Sequence, residues 1–106
     1  PVVLAGDFNA TPWSRAYRQL SARLSDARAI ALSRAGLATF PSRYPVLRLD
    51  HVFVGPGLRV DRVAVLRDGA ARRASDHLPL LATLDLIEAP RAVLRSQEAL
   101  AVAPEA

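Results

Sequence analysis

A chain of 106 residues, 51% apolar and with a formal net charge of +4, has room for one small domain and one core. That apolar fraction excludes a disordered chain, because it can bury enough surface to offset its ordering entropy. With no cysteine, a disulfide framework and a thiolate metal site are both ruled out, and no run reaches the roughly 20 apolar residues that span a bilayer. All 14 basic residues are arginine, whose planar fork suits phosphate. GC-rich coding explains that preference as readily, so charge points only weakly to an anionic substrate.

In chain order, Val2 to Ala5 is a continuous apolar run stopped by Gly6, the pattern of a strand buried on both faces and cut off from whatever precedes it. Thr11-Pro12 reads as an N-cap followed by proline at the first helical position. Trp13, Ala16, Tyr17, Leu20 and Leu24 recur at helical spacing, with Arg15, Arg18, Gln19 and Arg23 opposite, which predicts an amphipathic helix. Ser25-Asp26 can cap a short helix ending near Gly36, and Pro41 and Pro45 mark loop. Leu49 to Val54 reads as a second strand closed by Gly55-Pro56-Gly57, and Leu58 to Leu66 as a third, irregular near Asp61-Arg62 and closed by Asp68-Gly69. Leu78 to Leu86 is the last strand. Residues 1–87 are then one folded unit, and 88–106 form a polar, Ala-rich tail expected to be helical or frayed.

Three segments place polar groups at the end of an apolar strand: Gly6-Asp7-Phe8-Asn9, Arg48-Leu49-Asp50-His51 and Ser75-Asp76-His77-Leu78-Pro79. Strand ends let side chains converge on a cleft while the sheet holds them rigid. Carboxylates, an amide and imidazoles are the groups that bind a divalent cation, orient a water and contact a phosphate. Taken singly they are weaker: Asp7 and Asn9 serve as well as turn residues, Asp76 as a loop carboxylate, and His51, flanked by apolar residues, reads as a satisfied core histidine.

In this order, GDFNATPWS, RLDHVFV and SDHLPLLATL resemble the closing motifs of the endonuclease/exonuclease/phosphatase superfamily, whose members include deoxyribonuclease I-like nucleases, abasic-site endonucleases, sphingomyelinases, inositol-phosphate phosphatases and deadenylases. The resemblance covers roughly Val2 to Leu86. It implies an α+β fold, half of a four-layered β-sandwich flanked by helices, with the N-terminal half and one of the two facing sheets absent. It implies a metal-dependent phosphodiesterase. Asp7 would orient or deprotonate the attacking water, Asn9 would stabilise the phosphoryl group, His77 would contact the scissile phosphate, and Asp50 would hydrogen-bond His77. Asp76, with Asp7, would belong to the site of a Mg²⁺ or Mn²⁺ cofactor.

The family also carries, in its first half, an Asn, a metal-binding Glu and usually a His or Tyr near the phosphate. Gln97-Glu98 has the wrong order to replace that Glu, so the chain alone is expected to be inactive. Nucleic acid is the first expected substrate, and a phospholipid or other small phosphodiester the second. The alternative from another class is a non-catalytic phosphate- or nucleic-acid-binding remnant of the fold. The GDFNATPW sequence resembles a bacterial subgroup often attached to N-terminal membrane spans, which points to a cytoplasmic or membrane-associated protein.

Overall fold

The computed structural model describes residues 1–36 and 38–87; the expectations for the tail and for Gln97-Glu98 lie outside these. The elements run β1 (Val3–Asp7), α1 (Arg15–Ser21), β2 (Ser25–Asp26), α2 (Ala27–Ile30), β3 (Ser33–Ala35), β4 (Asp50–Val54), β5 (Leu58–Val65), α3 (Gly69–Ala74) and β6 (Leu80–Leu86). They form two three-stranded sheets, ordered β1-β4-β2 and β3-β5-β6. The expectation that one sheet is absent is therefore corrected: the chain contributes strands to both.

β4 pairs antiparallel with β1 over its whole length, setting Gly6 opposite His51 and Asp7 opposite Asp50. Side chains alternate across a strand, so Val52 and Val54 turn one way and His51 and Phe53 the other. The first pair meets Val60 and Val63 of β5 and Ala27 of α2 in the core between the sheets, with Leu80, Ala82 and Leu84 of β6 packed against it. On the other side of β4, Phe53 and His51 pack with the rings of Phe8 and Tyr17. Val60 and Val63 are an odd number of residues apart and share a face because the β5–β6 register shifts between Val60 and Arg62. That bulge is the irregularity expected near Asp61-Arg62.

The first strand departs from expectation. It is the edge strand of its sheet, and the described residues cover its faces only in part, leaving Val3 51% and Leu4 36% exposed. The helix expected after Thr11-Pro12 starts later: Thr11 O closes a turn on Ser14 N, and Ser14 is the N-cap, its hydroxyl accepting from Tyr17 N at 3.1 Å. Trp13 thereby precedes the helix and lies in solvent. Asp26 caps α2, which ends at Ile30 rather than near Gly36. Asp68-Gly69 ends the third strand by opening a helix, Asp68 Oδ1 accepting from Ala71 N at 2.7 Å. No helix among the described residues is long and apolar enough to cross a membrane.

Candidate active site

β1 and β4 place Asp7 and Asp50 as register partners at the end of their sheet. Beyond Asp7 the chain turns through Asn9, whose φ of 51° lies in the left-handed region that Asn tolerates better than most residues. The turn is held locally, since Asp7 Oδ1 accepts from Asn9 N at 2.8 Å. The third segment is pinned by the loop that follows β3. Leu78 N donates to Thr39 O and Ser42 N to Asp76 O, each at 2.8 Å, so Asp76-His77-Leu78 is clamped by backbone bonds at both ends. The same loop lays the Phe40 ring on the imidazole of His77, centroids 4.8 Å apart.

His77 Nδ1 donates to Asp50 Oδ2 at 2.7 Å, and Nε2 faces Asp7 Oδ2 at 3.5 Å. Three groups that are 70 residues apart at the extremes thus meet, with one ligand atom of each of Asp7, Asp50 and His77 lying within 4.8 Å of the others. Their surroundings differ. Asp50 Oδ2 already accepts from both His77 Nδ1 and the buried Thr39 Oγ1, the latter at 2.6 Å. Asp7 is half exposed, and its Oδ2 faces outward to His77. The hydrogen bond to Asp50 raises the His77 pKa above its ordinary value, against the opposing effect of partial burial, and the charges of Asp50, Asp7 and Asp76 add to the rise. The imidazole is thereby biased towards its charged form.

The donor set suits a hard divalent cation, which takes oxygen ligands. Asp7 fits that role, being half exposed, with an Oδ2 that meets His77 Nε2 only at 3.5 Å and accepts no shorter hydrogen bond among the described residues. Asp50 does not fit as well, because its inner oxygen is committed to orienting His77. Asp76 stands next to His77 with its carboxylate outside the three-residue cluster, 3.4 Å from the Ser75 hydroxyl. Asn9 is exposed at the turn, and its backbone supports Asp7.

Sequence reasoning missed the layer behind these groups. Arg28, buried at the start of α2, donates through Nη2 to Asp50 O at 2.8 Å and contacts His51 Nδ1 at 2.6 Å. His51 Nε2 lies 2.6 Å from Ala10 O, so that nitrogen carries the proton and Nδ1 accepts from the guanidinium. Burial, and then the neighbouring guanidinium, hold His51 below its ordinary pKa despite the Ala10 bond, which keeps it neutral. His51 is therefore the satisfied core histidine its apolar flanks suggest. It also ties the strand bearing Asp50 to the turn that follows Asp7 and bears Asn9. Nothing in the local pattern around Arg28 or Thr39 marks either as a support.

Known structures share this arrangement of strands. The chain is similar to an endonuclease/exonuclease/phosphatase from Bacteroides vulgatus at 30% identity and a TM-score of 0.70, over 79% of this chain and 36% of that one. It is similar to a mannosyl-6-phosphatase from Bacteroides thetaiotaomicron at 29% identity and a TM-score of 0.72, over 79% of this chain and 37% of that one. A functionally unknown conserved protein from Enterococcus faecalis matches at 27% identity and a TM-score of 0.68, over 79% and 36%. The chain thus spans little more than a third of the length of these relatives, which makes it a partial domain, as expected. The family model described as Endonuclease/Exonuclease/phosphatase matches residues 1–77, ending on the histidine that closes the three-residue cluster, and the chain belongs to that family.

Proposed function

We propose that the whole protein hydrolyses phosphate esters with a divalent cation, Mg²⁺ or Mn²⁺, and that this chain supplies the water-orienting and phosphate-contacting side of the site. The observation that carries the reading is the Asp50–His77–Asp7 alignment, in which the inner carboxylate is hydrogen-bonded to the imidazole at 2.7 Å while the outer one lies 3.5 Å from the other ring nitrogen and is half exposed. A phosphate ester resists attack because its anionic oxygens repel the nucleophile, so a site must neutralise charge and hold water in line. Asp7 would hold the cation, with Asp76 of the neighbouring segment as the second carboxylate of its site, and the cation would supply charge neutralisation. Asp7 orients the attacking water or takes its proton. His77, biased towards imidazolium, donates to a non-bridging oxygen, and Asp50 fixes which ring nitrogen faces the substrate. Asn9 adds an amide donor beside the phosphoryl group.

A phosphodiester, with nucleic acid first, is the preferred substrate. The mannosyl-6-phosphatase neighbour favours a second reading, a sugar phosphomonoester. Hydrolysis of an oligonucleotide, bis(p-nitrophenyl) phosphate and mannose 6-phosphate by the whole protein, with Mg²⁺, with Mn²⁺ and with EDTA, separates the two. Metal-dependent cleavage of the diesters that is lost in Asp7→Ala is the expected result; turnover of the monoester alone transfers the assignment to the second reading, and activity undiminished in Asp7→Ala refutes the role of that carboxylate.

A further inference from the structure

Beside the catalytic cluster, the loop after β3 and the helix before β6 enclose an open cleft of about 680 Å³. Its walls include Arg43 and Tyr44 from the loop, Arg72 and Arg73 from α3, and Asp76, the residue next to His77. A second hollow of about 370 Å³ shares Arg43, Tyr44 and Arg72 and continues to Val46 and Arg67. Together they form a track that starts at the catalytic segment and leads away from it, lined by four arginines and a single carboxylate. Arg43, Arg67 and Arg73 are exposed, and the ion pairs formed among the described residues belong to Arg28, Arg59 and His77 instead. An arginine-rich composition would scatter such residues. Here two segments are joined by the Ser42 Oγ–Arg72 O bond of 3.2 Å, which spans 30 residues and sets their cations on one cleft. The Tyr44 ring stands 80% exposed between them.

We infer that this track binds the phosphates and a base of a single nucleic-acid strand on one side of the scissile bond. The inference rests on the proposed phosphate-ester chemistry and names its substrate class. His77 and the cation account for one phosphate, so a sugar monophosphate would leave the exposed guanidinium groups of Arg43, Arg67 and Arg73 with no anion to accept from them. A strand brings further phosphates, each able to accept from an arginine fork, and bases that stack on an exposed ring whatever their identity.

The test is binding of a fluorescein-labelled single-stranded 12-mer to the whole protein in EDTA, followed by anisotropy across a salt series, with hydrolysis of bis(p-nitrophenyl) phosphate in Mg²⁺ measured alongside. Each phosphate contact contributes about 0.7 to the slope of log K against log salt for a single strand. The double variant Arg43→Ala/Arg73→Ala is expected to bind at least tenfold more weakly, with a slope shallower by roughly 1.4. Tyr44→Ala should weaken binding on the order of tenfold with the slope unchanged. Neither variant should alter hydrolysis of the small diester. Arg43→Gln/Arg73→Gln, which keeps the stems and removes the charges, should reproduce the loss if packing is not its cause. Equal affinity and slope in wild type and both arginine variants overturns the inference, even where the small diester is cleaved. Arginine-dependent binding without cleavage of any phosphodiester leaves the inference standing and removes the catalytic reading.

Discussion

Replacing Arg28 by methionine tests the support behind the site, because methionine keeps an unbranched apolar stem and removes the guanidinium. Two acceptors lose their donor, Asp50 O and His51 Nδ1, and both belong to the strand that carries the histidine-orienting carboxylate. Leaving a buried acceptor unpaired costs about 1–3 kcal/mol, so two give about 2–6 kcal/mol. Asp26, buried 3.9 Å from Nε, also loses its counter-charge. Relief of the desolvation of a buried guanidinium offsets part of this, leaving a net loss of about 2–4 kcal/mol. With an m-value of about 2 kcal/mol/M in urea, the midpoint should fall by about 1–2 M at unchanged slope.

A pH series adds a signed check. His51 is held below its ordinary pKa chiefly by burial, so the unfolded state binds its proton first; the stability from keeping it neutral is complete above about pH 6.5 and is lost as pH falls below that value. In Arg28→Met the nearby positive charge is gone, the depression shrinks, and the acid-side loss should flatten. Because Arg28 and His51 share a bond, Arg28→Met and His51→Leu should be non-additive by about 0.5–3 kcal/mol. An unchanged urea midpoint in Arg28→Met, with additive single effects, refutes the network.

In steady-state assays of the whole protein, Asp7→Ala and His77→Ala should each lower kcat by roughly 10²–10⁴-fold, whereas Asp50→Ala, which removes only the orienting partner of His77, should cost about 10–100-fold; the reverse ranking contradicts the division of roles. Phe53→Ala, at a fully buried ring contacting those of Phe8, Tyr17 and His51, should cost about 3–5 kcal/mol by chemical denaturation, and a cost below about 1 kcal/mol means the aromatic face of β4 is not packed as described.

Local chemistry determined the strands β4, β5 and β6, the bulge in β5, and the three polar segments at strand ends, because alternation, glycine stops and motif residues are properties of neighbours along the chain. The family followed from those segments in order. Short or shifted helices did not: α3 is Gly-Ala-Ala-Arg-Arg-Ala, too brief and uniform to show a 3.6-residue period, and Thr11 and Ser14 are chemically equivalent caps until a turn closes between them. β1 is exposed although its run is apolar, because an apolar run states what a strand is suited to, whereas coverage depends on partners the described residues do not provide. Tertiary structure alone decided that Thr39 and Arg28 serve Asp50, that His51 links two motif segments, and that arginines from the loop and α3 share a cleft. Each of these joins residues that are 11 or more positions apart in the chain. Only the packing of helices and loops against the paired strands brings such groups together, and no local pattern encodes a distance of that kind.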